Sequence, residues 1–94
     1  MKLHLLRTVT STEAEFSRAL RLTRDVTISG APPGFEVSNN RAALSITLAA
    51  TSDLELGSLR MQRLRVEIIG LRGEQDDQQR LLACIDRTMQ RGGG

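Results

Sequence analysis

The apolar residues of this chain change their period twice, and no other feature narrows the possible folds as far. Phe16, Ala19, Leu20 and Thr23 recur at i, i+3, i+4 and i+7, one face of a helix. From Val26 onward the spacing falls to two. Val26 pairs with Ile28 and Phe35 with Val37; Leu44, Ile46 and Leu48 then alternate with Ser45 and Thr47, and Leu64, Val66 and Ile68 follow. Leu81, Leu82, Ile85 and Met89 return to helical spacing. Half-buried strands between two amphipathic helices imply an α+β fold. The expected architecture is an antiparallel four- to five-stranded sheet with two helices packed on one face, in the order β-α-β-β-β-(β)-α. Residues 1–91 form a single domain, and residues 92–94 a flexible glycine tail.

Local signals refine this order. Residues 2–9 read as a first strand, with Leu3 and Leu5 toward the core and His4 away from it. Thr12 and Glu15 have the spacing of a capping box, in which each side chain satisfies a backbone donor at the helix start. Residues 25–29 form a short strand, and Gly30-Ala31-Pro32-Pro33-Gly34 is the strongest turn signal. Asn39-Asn40 suits a two-residue hairpin turn, because Asn tolerates positive φ. With Ser38 opposite Arg41, Val37 meets Ala42 and Phe35 meets Leu44, all on one face.

Residues 50–58 read as a connection. Leu59 and Met61 are odd-numbered and Leu64, Val66 and Ile68 even-numbered. Either a β-bulge lies near Gln62-Arg63, or the strand starts at Gln62 with Leu59 and Met61 folded over the core edge. The final helix spans about Glu74 to Arg91. Its acidic start and basic end suit the macrodipole.

Composition excludes several classes. Apolar residues at 39% rule out a disordered chain. Thirteen cations against 11 anions leave +2, a weak field for steering toward nucleic acid. The one cysteine, Cys84, forms no intramolecular disulfide, and the apolar run after Lys2 is cut short by Arg7, so a reduced cytoplasmic setting without a membrane span is expected. Zinc needs three or four converging ligands, but His4 and Cys84 are single representatives of their kinds. No metal site, cofactor or catalytic residue is expected. His4 is the sole imidazole, and no nucleophile elbow or Cys-His pair is present.

Two short segments resemble known families. Gly70-Leu71-Arg72-Gly73 is similar to the G-x-x-G loop of K-homology modules, which clamps a nucleic-acid backbone. There the loop joins two helices, whereas here a strand precedes it, and the following helix lacks an apolar residue in its first turn. Arg91-Gly92-Gly93-Gly94 is similar to the tails of ubiquitin-like modifiers and sulfur carriers. Those tails leave a strand, and this one leaves a helix. Each resemblance covers a few residues, and a glycine-bounded turn and a helix C-cap account for them.

The candidate binding residues are Arg60, Arg63, Arg65, Glu67 and Arg72. Alternation puts Arg63, Arg65 and Glu67 on the side opposite Leu64, Val66 and Ile68. The function expected is that of a non-catalytic accessory or interaction protein acting through protein–protein contacts. Its partner would be an acidic protein surface on the Arg63 and Arg65 face, or a second copy forming a homodimer through the sheet. The alternative is weak nucleic-acid or phosphate binding by the same face. Nucleic acid is disfavoured, because exposed aromatics for stacking bases are missing. A ubiquitin-like carrier or a small enzyme subunit is a more distant reading.

Overall fold

The computed structural model describes residues 3–92. It contains β1 (His4–Thr10), α1 (Glu13–Leu20), β2 (Thr27–Ala31), β3 (Gly34–Ser38), β4 (Ala43–Leu56), β5 (Leu59–Arg72) and α2 (Gln75–Gly92). The five strands form one antiparallel sheet in the order β1-β5-β4-β3-β2. The expected fold class and element order hold. The last helix runs one residue into the expected tail; Gly93 and Gly94 lie outside the described residues.

Each helix begins for a local reason. Thr12 Oγ1 accepts from the Glu15 amide at 3.1 Å, and the Glu15 carboxylate accepts from the Thr12 amide at 3.0 Å, so the capping box is complete. The Thr12 amide first, and the Thr12 hydroxyl beside it second, hold the exposed Glu15 carboxyl below the usual glutamate range. In α2 the first turn is closed by an unexpected side chain. Gln78 is buried; its Oε1 accepts from the Leu3 amide at 3.0 Å, and its Nε2 donates to the Arg72 and Gly73 carbonyls at 3.2 and 3.1 Å. The space for it comes from Gly70, where a Cβ would overlap the Gln78 amide. Gly73 has φ +97° and sits against the Arg41 carbonyl. The two glycines of the G-x-x-G are thus accounted for by packing.

The core is one cluster. Phe16 and Leu20 of α1, Leu81, Leu82 and Ile85 of α2, and alternate residues of β3, β4 and β5 pack together, with Leu5, Val9, Val26, Ile28 and Met89 at its margin. Phe16 and Phe35 lie with ring centroids 6.5 Å apart. Arg7, on the core side of β1, makes a paired hydrogen-bonded contact with Asp86 of α2 at 2.7 and 3.0 Å. This raises the already high pKa of the guanidinium and ties the helix to the sheet.

Two expectations are corrected. The β3–β4 connection is the four-residue loop Asn39–Ala42, and Val37 pairs with Leu44 and Phe35 with Ile46. Asn39 Oδ1 accepts from the amides of Arg41 and Ala42 at 2.8 Å each, which builds a wider turn than two residues allow. A shift of two keeps side-chain parity, so Phe35, Val37, Ala42 and Leu44 still bury on one side. Second, residues 50–58 are not a connection. β4 and β5 are each 14 residues long and turn at Gly57-Ser58, with Gly57 at φ +62°. The extra residue lies on β4, where Ser52 and Asp53 stand between the pairs Thr51–Arg63 and Leu54–Met61, and β5 passes Gln62-Arg63 without a bulge of its own.

Fourteen residues of strand rise about 46 Å, and the longest dimension of the molecule is 46 Å. Strand β3 pairs with β4 only as far as Thr47, and β1 with β5 only down to Arg63. Beyond those limits the β4–β5 hairpin projects as a two-stranded arm.

Candidate functional site

The strands leave one set of alternate residues outside the core. Across the sheet these form rows: His4, Ile69, Ser45, Glu36 and Ser29; then Leu6, Glu67, Thr47 and Gly34; then Thr8, Arg65 and Ala49; then Thr10, Arg63 and Thr51. Small Ser, Thr and Ala side chains line β4, β3 contributes Gly34 and Glu36, and long side chains line β5. No helix residue belongs to these rows, and their members are exposed or half-buried. We call this set the open face.

The arm continues it. Leu54 pairs with Met61 and Leu56 with Leu59, so these four apolar side chains share one side of the hairpin. Alternation along β5 puts Leu59 and Met61 on the side of Arg63 and Arg65, so neither alternative expected from the sequence, a bulge near Gln62-Arg63 or folding over the core edge, holds. The bulge at Ser52-Asp53 does the same for Leu54 and Leu56 on β4. Leu56, Leu59 and Met61 are 59%, 63% and 42% exposed. The six exposed large apolar residues among those described are Leu6, Leu22, Leu56, Leu59, Met61 and Leu71. All but Leu22 lie on the open face or its arm. Leu71 belongs here because it borders a shallow depression with Ser29, Glu36 and Ser45.

The candidate residues separate into three places. Arg63, Arg65 and Glu67 share the open face. Arg63 is engaged there, with Nε donating to the Ser52 carbonyl at 2.8 Å and a terminal nitrogen to Ser52 Oγ at 3.1 Å. Glu67 Oε2 lies 2.8 Å from His4 Nε2. Arg65 is exposed and takes part in none of the ion pairs among the described residues. Arg60 falls on the other side of the arm and pairs with Glu55 at 2.9 Å. Arg72 lies nine residues from Arg63, roughly 30 Å along the strand, and donates to the Asn39 carbonyl at 2.6 Å.

Sequence reasoning missed the apolar arm, because its residues were assigned to a connection. The available signal was the symmetry of Leu54-x-Leu56 and Leu59-x-Met61 about Gly57-Ser58, a dipeptide suited to a two-residue hairpin turn.

A second concavity, of about 600 Å³, opens between β1, α1 and α2, with Arg7, Phe16, Arg18, Leu22, Asp86 and Met89 in its walls. Its central charges, Arg7 and Asp86, are spent on each other. Among the described residues no group of three or more His, Cys, Asp or Glu could hold a metal ion, and no helix is long and apolar enough to cross a membrane.

Comparison of the chain with protein-family models, curated proteins and solved structures returns no match.

Proposed function

We propose that this chain is a non-catalytic interaction protein that docks a protein partner on its open face and β4–β5 arm, in a reduced, cytoplasmic setting. The observation that carries the reading is the gathering of five exposed large apolar residues on that face and arm. Leu54, Leu56, Leu59 and Met61 cluster on the arm, and Leu6 and Leu71 stand farther along the face among polar groups. An exposed apolar cluster bordered by polar residues is the usual mark of a docking surface. The edges of the arm are less suited to the purpose. Asp53, Glu55 and Arg60, together with the bulge at Ser52-Asp53, discourage strand addition there.

Arg63 and Arg65 add polarity to the same surface. Their Cα atoms are about 7 Å apart from two residues of rise, and Arg65, in no ion pair among the described residues, has a guanidinium for carboxylates or carbonyls of the partner. Arg60 and Arg72 are engaged elsewhere, which leaves too small a cationic field for nucleic acid.

The test is capture of native partners by tagged wild type, Leu56→Glu/Leu59→Glu and Arg63→Glu/Arg65→Glu, with and without nuclease. Loss of specific protein partners with the leucine variant, unaffected by nuclease, is the expected result. An identical partner set for all three proteins would refute the proposal, and loss after nuclease alone would favour nucleic acid.

A further inference from the structure

We infer that the occupant of the open face is a second copy of this chain, packed face to face about a two-fold axis that runs along the strands between β4 and β5. The inference rests on the reading of this face as a docking surface.

The first argument is area. The four strands that this axis superposes, about 4.8 Å apart and some seven residues long, with the arm added, present roughly 600 Å² in projection, and their accessible surface is larger. A stable interface takes about 800 Å² of accessible surface from each partner. The open face and arm together are therefore of the right size, whereas the arm alone, at under about 200 Å², is not.

The second argument is the distribution of side-chain size. Rotation about this axis lays β5 of one copy over β4 of the other, and β1 over β3. The long side chains of Glu67, Arg65 and Arg63 then meet Thr47, Ala49 and Thr51, their own row partners in the sheet. Leu6 comes over Gly34, which shares its row. Leu59 meets Leu56 and Met61 meets Leu54, which closes an apolar cluster from the two arms. Packed sheets interdigitate in this way about 10 Å apart, and the helices remain on the outside of a helix–sheet–sheet–helix sandwich.

The third argument is polar complementarity. His4 and Glu36 stand in one row on β1 and β3, and the rotation brings each opposite the other in the second copy. Arg63 and Arg65 oppose small neutral residues. The other in-plane two-fold axis, across the strands, lays β5 on β5 and crowds the arginines of the two copies together. Like charges in a desolvated interface are costly, so this alternative is disfavoured.

The test uses the full chain in sedimentation equilibrium at about 100 μM, a concentration that reports micromolar association. The expected mass for wild type is twice 10.4 kDa. Two variants should dissociate at least tenfold more readily with unchanged circular dichroism. Ala49→Arg thickens a small position under Arg65. Gly34→Gln adds a side chain under Leu6, and a Cβ there meets nothing within 4 Å in its own chain. Leu22→Glu, away from the face, should leave the dimer intact. A monomeric wild type, or a dimer indifferent to both Ala49→Arg and Gly34→Gln, overturns the inference. If wild type is monomeric while Leu56→Glu/Leu59→Glu still loses a different captured protein, the docking reading survives without its second-copy occupant. If neither measurement responds, both fall.

Discussion

Removing the Gln78 side chain should reveal what holds α2 to the ends of β1 and β5. In Gln78→Leu the volume is roughly kept and three hydrogen bonds are lost. The Leu3 amide is buried, and an orphaned buried donor costs about 1–3 kcal/mol. The Arg72 and Gly73 carbonyls are nearer solvent and recover water, so the total is about 2–3 kcal/mol. Gly70→Ala attacks the same contact from the strand side. Its new methyl overlaps the Gln78 amide and must displace it. Forced overpacking typically costs about 1–3 kcal/mol, and the displaced amide forfeits the same hydrogen bonds. In a Gln78→Ala background the space is vacant, and Gly70 has no positive φ to penalise alanine. Gly70→Ala should then cost less than about 1 kcal/mol, since residues in contact couple strongly. Urea melts of wild type, Gly70→Ala, Gln78→Ala and the double variant supply the cycle. Single-variant costs that add within about 0.5 kcal/mol would refute the reasoning, because independent sites behave that way.

Other outcomes follow from packing and capping. Ile85→Ala should destabilise by about 2–5 kcal/mol in a urea melt, as expected for a buried core residue; a change below about 1 kcal/mol would mean that α2 is peripheral. In protein diluted to monomer, Leu56→Glu/Leu59→Glu should alter stability by less than about 0.5 kcal/mol, because the arm lies outside the core, and a larger loss would make it part of the fold. Glu15 should titrate below an ordinary glutamate in carboxyl NMR, and Thr12→Ala should move its midpoint up. Because the folded pKa is the lower one, the stability that Glu15 contributes is present above the unfolded glutamate pKa and lost as pH falls through the folded value. An unmoved midpoint would remove the Thr12 hydroxyl as a cause and leave the Thr12 amide, which alanine retains.

Legibility of the fold in the sequence followed parity. The stripes Phe16, Ala19, Leu20 and Leu81, Leu82, Ile85 were readable because helical burial depends on spacing alone. The inward set Phe35, Val37, Ala42 and Leu44 was readable despite the wrong turn, since a slip of two residues preserves the face. The turn itself was hidden in a side chain: Asn39 accepts two amides, and residue type does not reveal which way Asn will bond. The arm was hidden because the extra residue at Ser52-Asp53 reverses the face midway along β4. Leu48 and Leu54 are both even-numbered, yet one is core and the other open. Burial of Gln78 ran against its polarity and depended on a glycine eight residues earlier. In the candidate site, alternation placed Arg63, Arg65 and Glu67 together. The contacts that engage Arg63 and Glu67, with Ser52 and His4, required the register across strands.

The open face can be examined directly in purified protein by methyl NMR with a soluble paramagnetic probe. Leu22 serves as an internal control, since at 57% exposure it resembles Leu56 and Leu59 but lies on α1's side of the molecule. At about 100 μM, where micromolar association is populated, the methyls of Leu56 and Leu59 should be protected from the probe while those of Leu22 broaden. Protection should vanish in Ala49→Arg and on dilution. Equal broadening of all three leucines in the concentrated wild-type protein would contradict a covered face.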